Sequence, residues 1–253
     1  MITIKTEKEI KILQQGGHIL AKILKTVAKA VRPGISTDTL DKLAFKLITE
    51  AGGKPSFLHY KADFMSKPYP ASLCVSINDV IVHGTPNAKT FLKEGDIVSL
   101  DFGMIYKGMY TDTAITVPVG KVDPRYLKLI KVTKEALDQA IKVAKVGNTL
   151  GDIGYAIESH LKKNGMMPIK NLVGHGVGYQ VHEDPEIFNY GTPHSGITLK
   201  PGYVLALEPM GTYGTSDIVE NEDDSYSTKN GEYAAHSEHT IAILKDRTIV
   251  ITK

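Results

Sequence analysis

Two stretches of this chain, "LKEGDIVSLDFGM" (92–104) and "LKPGYVLALEPM" (199–210), share one outline. Each opens Leu-Lys-x-Gly, continues through apolar residues of strand character, and ends Leu-acid. Setting Asp101 on Glu208 fixes the offset at 208 − 101 = 107, and Leu92, Lys93, Gly95 and Leu100 then fall on Leu199, Lys200, Gly202 and Leu207. Farther on, "TDTAITV" (111–117) lies on "SEHTIAI" (237–243), with Asp112 on Glu238. A chain that carries one module twice is constrained to a fold with internal pseudo-twofold symmetry. Each copy also delivers two acids to the ends or faces of apolar strands.

The rest of the sequence repeats on the same plan. A Thr6-x-x-Glu9 capping box precedes a run in which Ile12, Ile19, Leu20, Ile23, Leu24, Val27 and Val31 share one helical face, stopped by Pro33-Gly34. "STDTLDKLAFKLITEAGG" reads as a second helix with a glycine stop. In the second half, Asp123-Pro124 caps a helix carrying Leu127, Ile130, Leu137, Ala140, Ile141 and Ala144, and "TLGDIGYAIESHLKKNG" follows as its partner. "GGKP" (52–55) answers "GMMP" (165–168). Each half therefore reads helix, helix, strand, histidine-bearing strand, acid-bearing hairpin. No Pro/Ser-rich linker separates them, so residues 1–253 are expected to form one α+β domain.

Composition narrows the function classes. With 30 Lys+Arg against 28 Asp+Glu, both signs interspersed, the net charge of +2 gives no reason to expect a specific nucleic-acid partner. The acidic run "ENEDD" (220–224) reads as a solvated loop. Cys74 is the sole cysteine, which rules out an intramolecular disulfide, and the N-terminus lacks the order of residues that marks a signal peptide. No apolar run is of bilayer length, so the expectation is a cytoplasmic protein without a membrane segment.

Two hairpins meeting across a pseudo-twofold axis would gather Asp101, Asp112, Glu208 and Glu238 at the centre. Four carboxylates in a poorly solvated place would take up protons or need cations, and two divalent ions balance them. His175, in "LVGHGVG", completes an oxygen-rich set with one imidazole, which suits Mn, Fe, Co or Zn. Its flanking glycines would allow close approach by an ion or substrate. His83, in "VIVHGTP", is its repeat mate, whereas His18, His59, His160, His194 and His236 read as ordinary core or surface groups. "GHGVGY" fails the dinucleotide pattern G-x-G-x-x-G, and "HEDPE" fails H-E-x-x-H.

In order and spacing, "SLDFG", "YTDTA", "GHGVGYQVHEDP", "LALEPM" and "SEHT" resemble the signature segments of type I methionine aminopeptidases. The opening "MITIKTEKEI" and "PYPASLCVSINDVIVHGTP" resemble them too. The "GHG" to "HEDP" segment alone is shared with prolidases, X-Pro aminopeptidases and creatinases of the same pita-bread fold; the "EHT" ending discriminates better. An X-Pro aminopeptidase or dipeptidase, and a peptide-binding relative without chemistry, are the alternatives.

The resemblance implies a role for each residue. Asp101 would hold one metal ion, His175 and Glu208 the other, and Asp112 and Glu238 both, activating a water that attacks the scissile carbonyl. Glu208 would shuttle the proton, His83 would contact the scissile amide nitrogen, and His182 would hydrogen-bond the carbonyl oxygen. The substrate would be the N-terminal methionine of nascent polypeptides, with a small second residue, met near the ribosome by a monomeric enzyme. The pocket for the methionine side chain maps onto Phe57, Tyr60, Tyr69, Cys74, Val181 and Tyr226. Val181 replaces a phenylalanine of some bacterial members, a difference worth ~1–3 kcal/mol of apolar contact. Tyr226 stands near their tryptophan, and "KADFMSK" (61–67) looks like an insertion beside the pocket.

Overall fold

The capping box at the start of the first helix forms in full: the Thr6 N–H donates to Glu9 Oε2 at 2.7 Å and the Glu9 N–H donates to Thr6 Oγ1 at 3.4 Å. In the computed structural model, which describes residues 2–62 and 66–253, this box opens α1 (Glu7–Ala30). α2 (Thr37–Glu50) is capped by Ser36, α3 (Pro124–Val143) begins on the proline behind Asp123, and α4 (Leu150–Lys163) starts from a Thr149–Asp152 box. These caps answer the orphan N–H groups of each first turn, so the starts follow from local sequence.

Between the helix pairs lie strands that pair antiparallel throughout. Ile97–Tyr106 returns as Met109–Pro118 through Lys107 and Gly108, both with positive φ (49° and 81°). That pair of signs matches the twist of the two strands, and glycine adopts it without steric cost. The second hairpin is built differently. Val204–Leu207 and Met210–Thr212 run out, and Ala234–His236 and His239–Ile243 run back against them. Between the arms the chain makes an excursion in which Ile218–Glu220 pairs with Tyr226–Thr228, and Tyr226–Thr228 crosses over to pair with Val80–Val82 of the first half.

The halves meet along a seam of hydrogen bonds between the returning arms. The Asp112 N–H donates to Thr240 Oγ1 at 2.9 Å, and the Glu238 N–H donates to the Ala114 carbonyl at 2.9 Å. The contacts 112 to 240 and 114 to 238 exchange under the offset 238 − 112 = 126, so the pseudo-twofold axis passes between them. Pairing within the hairpins departs from strict symmetry. Asp101 faces Ala114 and Gly103 faces Asp112, whereas Leu207 faces His239, which sets Glu208 opposite Glu238. The acids paired by the sequence repeat thus differ by two positions in register, and a shift of two keeps a side chain on the same face of its strand.

Two apolar cores flank this seam. One is built from α1, α2 and the first hairpin around the fully buried Phe102, where truncation to alanine would cost ~3–5 kcal/mol. The other joins α3 and α4 to Val204–Leu207 and His239–Ile243. The N-terminal segment adds a polar brace. Lys5 Nζ, its side chain 1% exposed, lies 2.6 Å from Glu183 Oε2, which also accepts from Thr3 Oγ1, while Glu183 Oε1 accepts the N–H groups of Tyr179 and Gln180. Among the described residues no helix is long and apolar enough to cross a membrane.

Candidate metal centre

The seam delivers the predicted acids from both halves to one cavity. Asp101 comes from Ile97–Tyr106 and Asp112 from Met109–Pro118, while Glu208 and Glu238 occupy the matched interruptions in the second hairpin. His175 projects from Val173–Gly176. One ligand atom each from Asp112, His175 and Glu238 lies within 4.8 Å of the others. Asp101 and Glu208 line the same cavity of about 960 Å³, with Glu208 Oε1 3.5 Å from His175 Nε2.

The electrostatics are those of a site short of positive charge. Asp101 Oδ1 and Glu238 Oε1 are buried without a hydrogen-bond partner among the described residues. Burial pushes Asp101, Glu208 and Glu238 well above the usual carboxylate range, and the charges of neighbouring acids push the same way. Burial raises Asp112 to about 7, although the Thr113 N–H partly offsets it. Orphaned carboxylate oxygens beside acids that resist ionisation are what divalent cations would satisfy. The imidazole is prepared to bind a cation as well. The His175 Nδ1–H donates to the Gly176 carbonyl at 2.8 Å, leaving Nε2 as a bare lone pair. Burial holds His175 at about 4, so it is neutral at physiological pH.

The glycines beside His175 make room for neighbouring backbone. A Cβ on Gly174 would lie 2.4 Å from the Ala206 carbonyl oxygen, and one on Gly176 would lie 2.1 Å from that of Asp184. Neighbouring strand backbone makes a close approach at both glycines.

Residues 11–245 match the family described as "Metallopeptidase family M24". Over its full length the chain is 43% identical to the methionine aminopeptidase of Aquifex aeolicus, of which it covers 99%. The chain belongs to the methionine aminopeptidase group of family M24. A solved methionine aminopeptidase from Thermotoga maritima is 40% identical, with a TM-score of 0.95 and full coverage of both chains. The Xaa-Pro dipeptidase of Bacillus anthracis shares the pita-bread fold at 22% identity and a TM-score of 0.76, with 99% of this chain covered and 62% of that one. Family and donor set together make the protein a hydrolase that uses divalent metal.

In this M24 cavity, His83 and His182 stand on the walls with Phe57, Tyr60, Tyr69 and Cys74. His83 occupies left-handed backbone (φ 61°), a costly conformation for a residue with a Cβ, and its ring meets the edge of Tyr226 at 5.9 Å. Burial lowers its pKa, against a hydrogen bond with the Asp224 backbone that raises it. Crowding at the cavity wall, then the nearby imidazoles of His175 and His83, push His182 below the usual imidazole range, although the residue is exposed by surface area. Tyr69 donates its hydroxyl to the carbonyls of Leu73 and Gly84 at 3.2 and 2.9 Å, so it anchors the wall as well as lining it. Val181 is buried and is not among the described residues that line the cavity.

Three residues gain parts that their sequence context does not signal. His236, expected to be an ordinary core group, is buried with its Nε2 3.5 Å from Glu208 Oε2, and it stands two positions before Glu238 in an extended run. Asp224, expected in a solvated loop, accepts the Ser66 N–H and hydroxyl at 3.2 and 2.8 Å. Within the expected insertion (61–67), residues 63–65 lie outside the described residues. Glu183, next to His182, ties the turn at the cavity wall to Lys5.

Proposed function

We propose that this M24 enzyme removes the N-terminal methionine of peptides and nascent chains at a dinuclear metal centre, favouring a small second residue. The observation that carries the reading is the convergence of four carboxylates and a pre-set imidazole on one cavity, two acid oxygens there having no protein partner among the described residues. Asp101 would hold one ion, His175 and Glu208 the other, and Asp112 and Glu238 both. Divalent ions bound there supply Lewis acidity and acidify a water, and Mn, Fe, Co and Zn all suit the donors.

The chain's own groups do the rest. Glu208 takes a proton from the nucleophilic water and returns it to the leaving amine. His182 donates to the carbonyl oxygen as negative charge develops there. His83, across the cavity, attends the amide nitrogen. Phe57, Tyr60, Tyr69 and Cys74, with Tyr226 beside His83, offer the apolar wall that a flexible thioether fills well. Action near the ribosome as a cytoplasmic monomer belongs to the same proposal and rests on the family resemblance.

The test is release of free methionine from Met-Ala-Ser, with an X-Pro peptide as control, by chelated protein before and after Mn, Co, Fe or Zn is added back. Metal-restored cleavage of the methionyl peptide alone is expected. Cleavage of the X-Pro peptide alone would keep the fold and metal but overturn the substrate, and silence with every metal would overturn catalysis.

A further inference from the structure

We propose that Tyr60 is a positioning residue for the reaction, setting the tautomer of His182 so that the nitrogen left for the substrate carries the proton. This rests on the reading of His182 as donor to the substrate carbonyl. Tyr60 otherwise figures only as apolar wall, a role that would need its ring and not its hydroxyl.

The geometry is specific. Tyr60 Oη lies 2.8 Å from His182 Nδ1, and the two rings meet edge to face at 5.2 Å. On its other side the His182 ring stands 4.4 Å from His175, at an interplanar angle of 81°. The exposed His182 ring therefore contacts both a phenol and the imidazole of the metal centre.

A neutral imidazole has one N–H to share between two nitrogens, and the partner of one nitrogen decides the state of the other. If Tyr60 donates to Nδ1, the proton resides on Nε2, and the ring presents a donor to the cavity that it lines. If instead Nδ1–H donated to the phenol, Nε2 would present a lone pair to a developing oxyanion and repel it. Only the first arrangement serves the reaction, so the hydroxyl acts as the donor.

The phenol is itself held. The Tyr60 N–H donates to the Phe57 carbonyl at 2.9 Å, the Tyr69 N–H donates to the Tyr60 carbonyl at 2.8 Å, and the His59 N–H donates to the Tyr69 carbonyl at 2.8 Å. These bonds close the neck of the 60–69 segment. Since the Tyr69 hydroxyl is anchored on the carbonyl of Gly84, directly after His83, one hydrogen-bonded path ties the wall at His83 to the hydroxyl at His182.

Tyr60→Phe keeps the ring and deletes only the oxygen. In zinc-loaded protein, the ring ¹⁵N shifts of His182 should report Nε2–H in the parent and a mixture of tautomers in the variant. The loss of one hydrogen bond should lower kcat by about tenfold with little change in KM, because the apolar wall is retained. A thermal melt checks that the variant is folded, and a Tyr60→Trp variant, which keeps an aromatic wall without a phenol, should show the same tautomer mixture.

A parent His182 protonated on Nδ1 would overturn the proposal. So would a Tyr60→Phe variant that retains either the Nε2–H tautomer or the parent kcat. His182→Ala separates the two layers: a large fall in kcat there beside an unaffected Tyr60→Phe sinks the role of Tyr60 alone, whereas normal turnover by His182→Ala removes the reading beneath it.

Discussion

Stripping the metal from this protein should make its stability fall as pH rises, the reverse of what salt-bridged carboxylates produce. A paired acid has a lowered folded pKa and stabilises the fold above its unfolded value. The acids of this centre have raised ones. Between the unfolded and folded values the unfolded chain has released a proton that the folded chain keeps, so each pH unit costs ~1.4 kcal/mol per acid. For Asp112, whose pKa rises from 3.8 to about 7, the loss accumulates between those values to roughly 4 kcal/mol.

Asp101, Glu208 and Glu238 push in the same direction. Buried imidazoles oppose them at lower pH. Burial holds His175 and His236 at about 4 and 3, so below pH ~6.5 the unfolded chain binds protons that the folded chain refuses. Most of the Asp112 loss is therefore masked, and the acids prevail only above that value, where Asp101, Glu208 and Glu238 are still held well above the carboxylate range. Over this range chelated protein should melt at steadily lower temperature, and protein saturated with Mn or Zn should not, because cations replace the protons. Calorimetric melts with and without chelator measure the first effect. Titration calorimetry in two buffers of different ionisation enthalpy counts the protons released on binding. A chelated protein whose melting temperature holds or climbs across the range, or metal binding without proton release, would refute the argument.

Glu208→Gln should leave the fold intact by circular dichroism, weaken one metal site in titration calorimetry and abolish turnover; near-normal turnover would remove the proton shuttle from Glu208. Lys5→Met should destabilise the protein by ~3–5 kcal/mol in denaturant melts, since it leaves the buried Glu183 carboxylate without its cation. Adding Glu183→Gln to Lys5→Met should recover part of that loss, and a double variant no more stable than Lys5→Met would contradict the ion-pair account.

The four helices of the described residues were legible because their signals are local: Thr6 with Glu9, Ser36, Asp123 before Pro124, and Thr149 all start helices where the sequence says they should. The gathering of the acids was legible for a different reason, since the sequence repeat itself matches Asp101 with Glu208 and Asp112 with Glu238. The crossing of Tyr226–Thr228 onto Val80–Val82 was not. Its partner lies far away in sequence, and its polar, acidic composition looks like loop. His236 carries no motif of its own, although its place two residues before Glu238 in an extended run puts both on one side. The glycines around His175 do mark close approach, but sequence alone could not say what approaches.

The crossing segment also answers a problem that duplication creates. A cleft with true twofold symmetry looks the same from either end, and a peptide laid across it could bind in two opposite directions. An exopeptidase must tell an amino end from a carboxyl end. By pairing Tyr226–Thr228 with the opposite half, the excursion puts Tyr226 against His83, whereas the ring beside His175 is that of His182. The two repeat-related histidines thereby face unlike neighbours, an asymmetry of the kind a cleft needs to distinguish one end of a peptide from the other.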